Sequence, residues 1–210
     1  MPTPILHQLP YNLSFTAASL RPELARIIAE RFLDLGSWDE VRRRILETNA
    51  LQCRTRGSAI RLERELRQRL QVLTLTQLNL LASGNADDRI AMTWLAALKS
   101  IEFVFDFVSE VLRDKAVFRD PVLRLSDYDT FEVGKSQVHA SLRQLKQSSK
   151  RKIRQVLMLM LVEAGMLMKG EGLGIIQRPT LSKASQEAIT TDDRRWLVGF
   201  LFLDTEIGGF

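Results

Sequence analysis

The chain has 210 residues, 45% of them hydrophobic and 26% charged, with a formal net charge of +5. That is enough apolar material for a packed core, which excludes a disordered tail, and the positive balance suits a polyanionic partner. The single cysteine, Cys53, excludes an internal disulfide and every multi-cysteine zinc or iron–sulfur ligand set.

Met1 to Pro10 shows neither a basic leader nor the apolar core of a secretory signal, so no export is expected and a reducing cytoplasm is the simplest setting. Leu20 to Leu35 then spaces Leu24, Ile27, Ile28, Phe32 and Leu35 as a helix that Gly36 stops. Ser37 caps a second helix through Val41 and Ile45 to about Asn49. After an irregular Cys53-Arg54-Thr55-Arg56-Gly57, Ser58 opens a third, with Leu62, Leu66, Leu70 and Leu73 on one face. Thr76 to Ala82 reads as a short helix ended by Ser83-Gly84-Asn85, where a boundary between subdomains 1–84 and 85–210 is expected. Asp87-Asp88 begins one long helix to about Lys115, with Trp94, Leu98, Ile101, Phe105 and Leu112 in helical register. Asp120-Pro121 breaks it, and Ser126 to Phe131 reads as a polar-aromatic connector or one short helical turn. Gly134 to Leu145 is helical, and Ser148-Ser149 caps a helix striped by Ile153, Val156, Leu157, Met160 and Leu161. Gly170, Gly172 and Gly174 precede Ile175 to Leu181, which reads as a small hairpin or wing. Two helices from about Ser182 and Asp192 close the chain. The longest uncharged apolar runs, Ile90 to Leu98 and Gln155 to Val162, fall far short of the roughly 20 residues that cross a bilayer. No membrane contact is expected.

Two positive blocks stand out. From Arg42 to Arg69 there are nine arginines against Glu47, Glu63 and Glu65. Between Glu132 and Glu163 there is no acid at all, against Lys135, Arg143, Lys146, Lys150, Arg151, Lys152 and Arg154. Cations in a first helical turn oppose the helix dipole, and an anion removes the conflict by taking formal charge, dipole and free N–H groups together. The first block lies on two amphipathic helices joined by a polar link, a loose helix-turn-helix in which Arg54, Arg56, Arg61 and Arg64 would meet phosphates or bases. Its plainer reading is an α-hairpin with a solvated arginine face. The second block has the ordered parts of a winged helix-turn-helix: a basic-fronted helix, a glycine-containing exit and a short β element. There Lys146, Ser149, Lys150, Arg151, Lys152 and Arg154 would contact the duplex, and Arg178 would reach from the wing. Its plainer reading is a solvated basic face on a packing helix.

Signs of catalysis are thin. His7 and His139 are too few for a metal site, and the pairs Asp87/Asp88 and Asp127/Asp129 are better explained as helix caps than as two-metal carboxylates. Gly170-Glu171-Gly172-Leu173-Gly174 follows a helix and lacks the Gly-Lys-Ser/Thr ending of a phosphate loop. Cys53 has no histidine pattern to make it a nucleophile. The methionine and phenylalanine stripes are core, although Phe200, Phe202 and Phe210 could dock a partner. No cofactor or metal is implied.

Three segments together resemble a known family: Leu35 to Arg42 through Gln52-Cys53-Arg54-Thr55-Arg56-Gly57-Ser58; Phe105 to Lys115; and Lys152 to Leu157 through Glu163-Ala164-Gly165-Met166-Leu167. They are similar to the BrxA family of bacteriophage-exclusion (BREX) defence systems, over about Leu20 to Leu181. The resemblance implies a soluble, largely helical, double-stranded-DNA-binding component that works with other defence proteins and has no known catalytic activity. It supplies no catalytic motif, and the chain after Ser182 carries no part of it. The expected architecture is mainly α, with two helical subdomains, helix-turn-helix-like elements and a small β-hairpin wing. The competing expectation is a scaffold that holds other proteins together and ignores DNA; RNA binding ranks below both, since few aromatics lie in the basic blocks.

Overall fold

Helix α1 (Pro22–Leu35) begins with a proline, whose missing N–H costs nothing in a first turn, and ends at Gly36, whose φ of +67° lets its N–H reach back to the Phe32 carbonyl. The computed structural model to which these elements belong describes residues 11–13 and 15–209. His7 and Phe210, weighed above, lie outside that set. Ser37 caps α2 (Trp38–Glu47) by accepting the Glu40 N–H, with Asp39 and Glu40 at the favourable end of the dipole. Helix α3 (Arg56–Leu70) starts before Ser58, because Thr55 is its cap and takes the Ser58 N–H at 3.2 Å. The link, residues 48–55, is clamped by Asn49, whose side-chain amide exchanges two 3.1 Å hydrogen bonds with the Cys53 backbone. Thr74 with Gln77 and Asn85 with Asp88 form reciprocal caps for α4 (Leu75–Ser83) and α5 (Ala86–Ser100).

The long helix expected up to Lys115 is two helices. Ile101, at φ −128° and ψ 88°, ends α5 and starts α6 (Glu102–Phe107), which continues through a π-helical turn (Val108–Leu112) into α7 (Arg113–Val117). Ser100 turns its hydroxyl back onto the Ala96 and Ala97 carbonyls, at 2.6 and 3.4 Å, an interaction that bends helices. The change of direction buries Phe103, Val104 and Phe107 in the same core as Trp94, Leu95 and Leu98.

A three-stranded antiparallel sheet follows, with β1 (Val122–Leu123), β2 (Leu167–Met168) and β3 (Gly174–Ile176) in the order β1-β3-β2. Val122 faces Ile175, and Leu167 faces Ile176. The strand expected over 175–181 leaves the sheet after Ile176. Gly174, at φ +146°, would bring a Cβ within 2.6 Å of the Met168 carbonyl, so only glycine fits there. Between β1 and β2 run α8 (Leu125–Val138), α9 (Ala140–Arg143) and α10 (Gln147–Glu163). Of the two readings of 126–131, the helical one holds and extends into a full helix, because Asp127 takes the Arg124 N–H at 2.7 Å and closes a first turn. The expected helix 134–145 breaks at His139, whose buried ring stacks on Tyr11 with centroids 3.6 Å apart. Nor do Ser148 and Ser149 cap α10: the helix starts earlier, after Lys146, with no side-chain cap.

Ser182 caps α11 (Lys183–Asp193) and also meets Asp88, which takes the Ser185 hydroxyl at 2.7 Å, so one buried carboxylate ties the starts of α5 and α11. The helix expected from Asp192 is a 3-10 segment, Arg194–Phe200, followed by α12 (Asp204–Ile207). Trp94 donates its indole N–H to the Gly199 carbonyl at 2.9 Å. A contiguous apolar cluster includes side chains from Tyr11 to Phe202, on both sides of the Ser83-Gly84-Asn85 turn. Among the described residues, no helix is long and apolar enough to cross a membrane.

Candidate nucleic-acid interface

Helical spacing sorts the cations of α10. Ile153, Val156, Leu157, Met160 and Leu161 face the core, and Lys150 and Arg154 fall on the edge of that stripe. Lys150 reaches Glu132 of α8 at 2.9 Å, the two side chains only 14% and 18% exposed. Arg154 lies 3.5 Å from Asp129 and over the Tyr128 ring. Lys135 is likewise held by Asp106 and Glu110. On the outer face, Arg143, Lys146, Arg151 and Lys152 are exposed and have no carboxylate partner among the described residues; Lys152 touches only Gln155, at 3.4 Å. Ser149 sits in the first turn with its own N–H returned to the Lys146 carbonyl. The front of α10 therefore presents free cations beside a helix start that no side chain caps.

The arginine block divides the same way. Arg67 and Arg69 withdraw from the surface: Arg67 pairs with the fully buried Glu63 at 2.6 Å, and Arg69 with Glu65 at 2.8 Å. Arg69 also donates to the carbonyls of Phe15, Ala18 and Ser19. These two pairs are spaced i,i+4, a signal visible in the sequence but masked there by the count of positive charge. Arg43 is taken by Glu40 and Glu47. Arg42, Arg44, Arg54, Arg56, Arg61 and Arg64 are exposed, again without a carboxylate partner among the described residues. The four arginines singled out from this block are thus all free.

Arg178, expected at the wing, is occupied. It stacks on Phe202 at 3.6 Å and pairs with Glu206 at 2.7 Å, which, with the Leu203 N–H, holds the Glu206 carboxyl below its usual range. Phe200 and Phe202 are buried. Arg113 meets Asp204 of the same terminal turn at 2.6 Å. Among the described residues no three His, Cys, Asp or Glu side chains are placed to hold a metal ion.

No pattern in the sequence marks residues 11–13 and 15–20, which strap the site's scaffold together. Tyr11 donates to Asp106, and the burial of its ring together with that carboxylate raises its pKa. Phe15 stacks on Phe103, and Glu163, at the far end of α10, accepts from Ser19 Oγ and the Leu20 N–H at 2.8 and 2.6 Å. The strap joins α3, through Arg69, to α10, through Glu163.

The fold and the sequence both have counterparts among known proteins. A crystal structure of an uncharacterized protein from Magnetospirillum magneticum matches with a TM-score of 0.75 at 21% identity, covering 91% of this chain and 97% of that one, so the two have the same fold. A BREX protein BrxA from Bacillus cereus (strain H3081.97) is 25% identical over 143 residues, 68% of this chain and 72% of that protein. A family model described as BrxA matches residues 9–193, a span that takes in the strap, α1 to α11, the sheet and both groups of free cations, and the chain accordingly belongs to the BrxA family.

Proposed function

We propose that this protein serves a bacteriophage-exclusion defence system as a double-stranded-DNA-binding component without catalytic chemistry of its own. Family membership supports the defence role, and the front of α10 carries the DNA reading. Lys146, Arg151 and Lys152 stand there unpaired, around a helix start without a side-chain cap, in a chain that pairs most of its other α10 and α8 cations. The surroundings support it too. The order α7, β1, α8, α9, α10, β2, β3 with sheet order β1-β3-β2 resembles that of a winged helix with the short α9 inserted before its second helix, and on this reading α10 would enter the major groove and the β2–β3 hairpin would flank the backbone.

Affinity on this reading comes chiefly from phosphate neutralisation. With roughly six to ten phosphates contacted, binding weakens about 10³–10⁵-fold between about 50 and 200 mM salt. In a fluorescence anisotropy titration against a labelled duplex, Lys146→Glu/Arg151→Glu/Lys152→Glu lowers the slope of log affinity against log salt by about 2.7, at about 0.9 per phosphate. Circular dichroism should stay unchanged, since none of the three holds a carboxylate. A slope identical to that of the unaltered protein would remove α10 from the interface. The scaffold reading draws on Val117 and Phe118, 52% and 79% exposed before β1; it predicts that no duplex binds even at low salt.

A further inference from the structure

A hollow of about 620 Å³ lies where the 3-10 turn Phe15–Ala17, the start of α1, the 48–55 link and the first turns of α3 meet. Its walls are Thr16, Ala17, Arg21, Leu24, Cys53, Ser58, Arg61 and Leu62. Two arginines therefore line one concavity, which has no Asp or Glu in its wall among the described residues, and residues 1–10 have none to supply. The adjacent hollow differs in this respect: there Asp39 and Glu47 line the same wall as Arg42, Arg43 and Arg56 and offset two of the three positive charges. Like charges across a space without a counter-ion repel, and an anion between them turns that repulsion into attraction.

The walls are rigid. Arg69, 2% exposed, fixes the turn bearing Thr16 and Ala17 through its bonds to the carbonyls of Phe15, Ala18 and Ser19, at 3.0, 2.8 and 2.7 Å. The Asn49 amide fixes Cys53. A wall whose backbone is already held gives up little backbone freedom when the hollow is filled, so the ordering falls on the exposed Arg21 and Arg61 side chains. Guanidinium forks match the unesterified oxygens of a phosphate, the Thr16 and Ser58 hydroxyls add neutral donors, and Leu24 and Leu62 offer an apolar surface of the kind a sugar ring covers.

We propose that this hollow seats a phosphate of a nucleic-acid backbone, taken between Arg21 and Arg61, and so anchors the duplex on the α1–α3 side of the molecule. The proposal rests on the DNA-binding reading above, but it adds Arg21 and commits to a particular seat. Cys53, the chain's one cysteine, stands in the wall and reports on occupancy. A thiol reagent should label Cys53 several-fold more slowly in the presence of saturating duplex, and inorganic phosphate or deoxyadenosine monophosphate should protect it only at far higher concentration. Arg61→Gln should abolish that protection, weaken duplex binding by about tenfold and lower the salt slope by about 0.9. Lys183→Gln, a 90% exposed cation on α11, should do none of these.

Arg21→Gln should behave like Arg61→Gln; if its left-handed backbone, φ +54°, makes that variant unfold, Arg61→Gln and the labelling of the unaltered protein carry the test. Duplex binding that leaves Cys53 unprotected, with Arg61→Gln no different from Lys183→Gln, overturns the seat and leaves the DNA reading standing. Protection by the free mononucleotide at or below the duplex concentration makes the ligand a nucleotide and overturns the backbone assignment. Failure of the unaltered protein to bind duplex at any salt overturns the DNA reading, and this proposal with it.

Discussion

Lys150 and Arg151 are adjacent cations with different work. Lys150 closes an ion pair with Glu132 at 2.9 Å in a mostly buried setting, and removing its charge leaves that carboxylate without its partner. Lys150→Gln should therefore cost about 1–3 kcal/mol of stability, while Arg151→Gln, on the exposed face, should cost almost none and weaken DNA binding instead. Urea unfolding beside anisotropy separates the two; equal stability losses in both variants would refute the division. That division was half-legible in the sequence. The core stripe Ile153, Val156, Leu157 places residues 150 and 154 on its edge and 151, 152 and 155 outside it, but the partners Glu132 and Asp129 belong to another helix, and no local spacing names them.

At the scale of elements, the β1 strand is held at its entrance by Asp120. Its carboxylate takes hydrogen bonds from Lys115 and Arg124, each at 2.7 Å, and these draw its pKa down to about 2. In the sequence Asp120-Pro121 reads only as a helix breaker. A folded-state pKa below the unfolded value of about 3.9 means that the contribution is present above about pH 4 and is lost as the pH falls toward 2. Amide-exchange protection of Leu173 and Ile176, whose N–H groups bond to the Leu123 and Pro121 carbonyls at 2.7 Å, should drop across that window. Asp120→Asn should show weaker protection at neutral pH and a flatter acid response. If both proteins lose protection in parallel, the anchor lies elsewhere. The first two helices contrast with this strand: the stop at Gly36 and the cap Ser37 lie within a few residues of what they end or begin, so pattern alone finds them.

For the whole molecule, the strap from Tyr11 to Leu20 links parts that the sequence shows as separate. Phe15 is 1% exposed and stacked on Phe103, so Phe15→Ala should cost about 3–5 kcal/mol. Because the apolar cluster is contiguous across the Ser83-Gly84-Asn85 turn, the loss should shift one cooperative transition. Fluorescence of the tryptophans Trp38, Trp94 and Trp196 and far-ultraviolet circular dichroism should move together. Two separated transitions, or an unshifted one, would show that the strap is an ornament on independent halves.

Read residue by residue, the chain already declares most of its helices, a few of their caps, its mainly α character with a small β wing, and, through segments dispersed from Leu35 to Leu167, its family. Those signals are short-range: a cap, a period or a stop glycine acts over one or two turns. The breaks at Ile101 and His139, the withdrawal of Lys150, Arg154 and Arg178 into ion pairs, and the placing of Arg21 and Arg61 around one hollow depend on which faces come together once the core closes. Tyr11 and Asp106, or Leu20 and Glu163, meet only because burying the apolar stripes of α5, α6 and α10 in one interior brings their polar edges into reach. Burial selects the packing, and the packing then sorts the cations into those that hold the protein together and those left exposed.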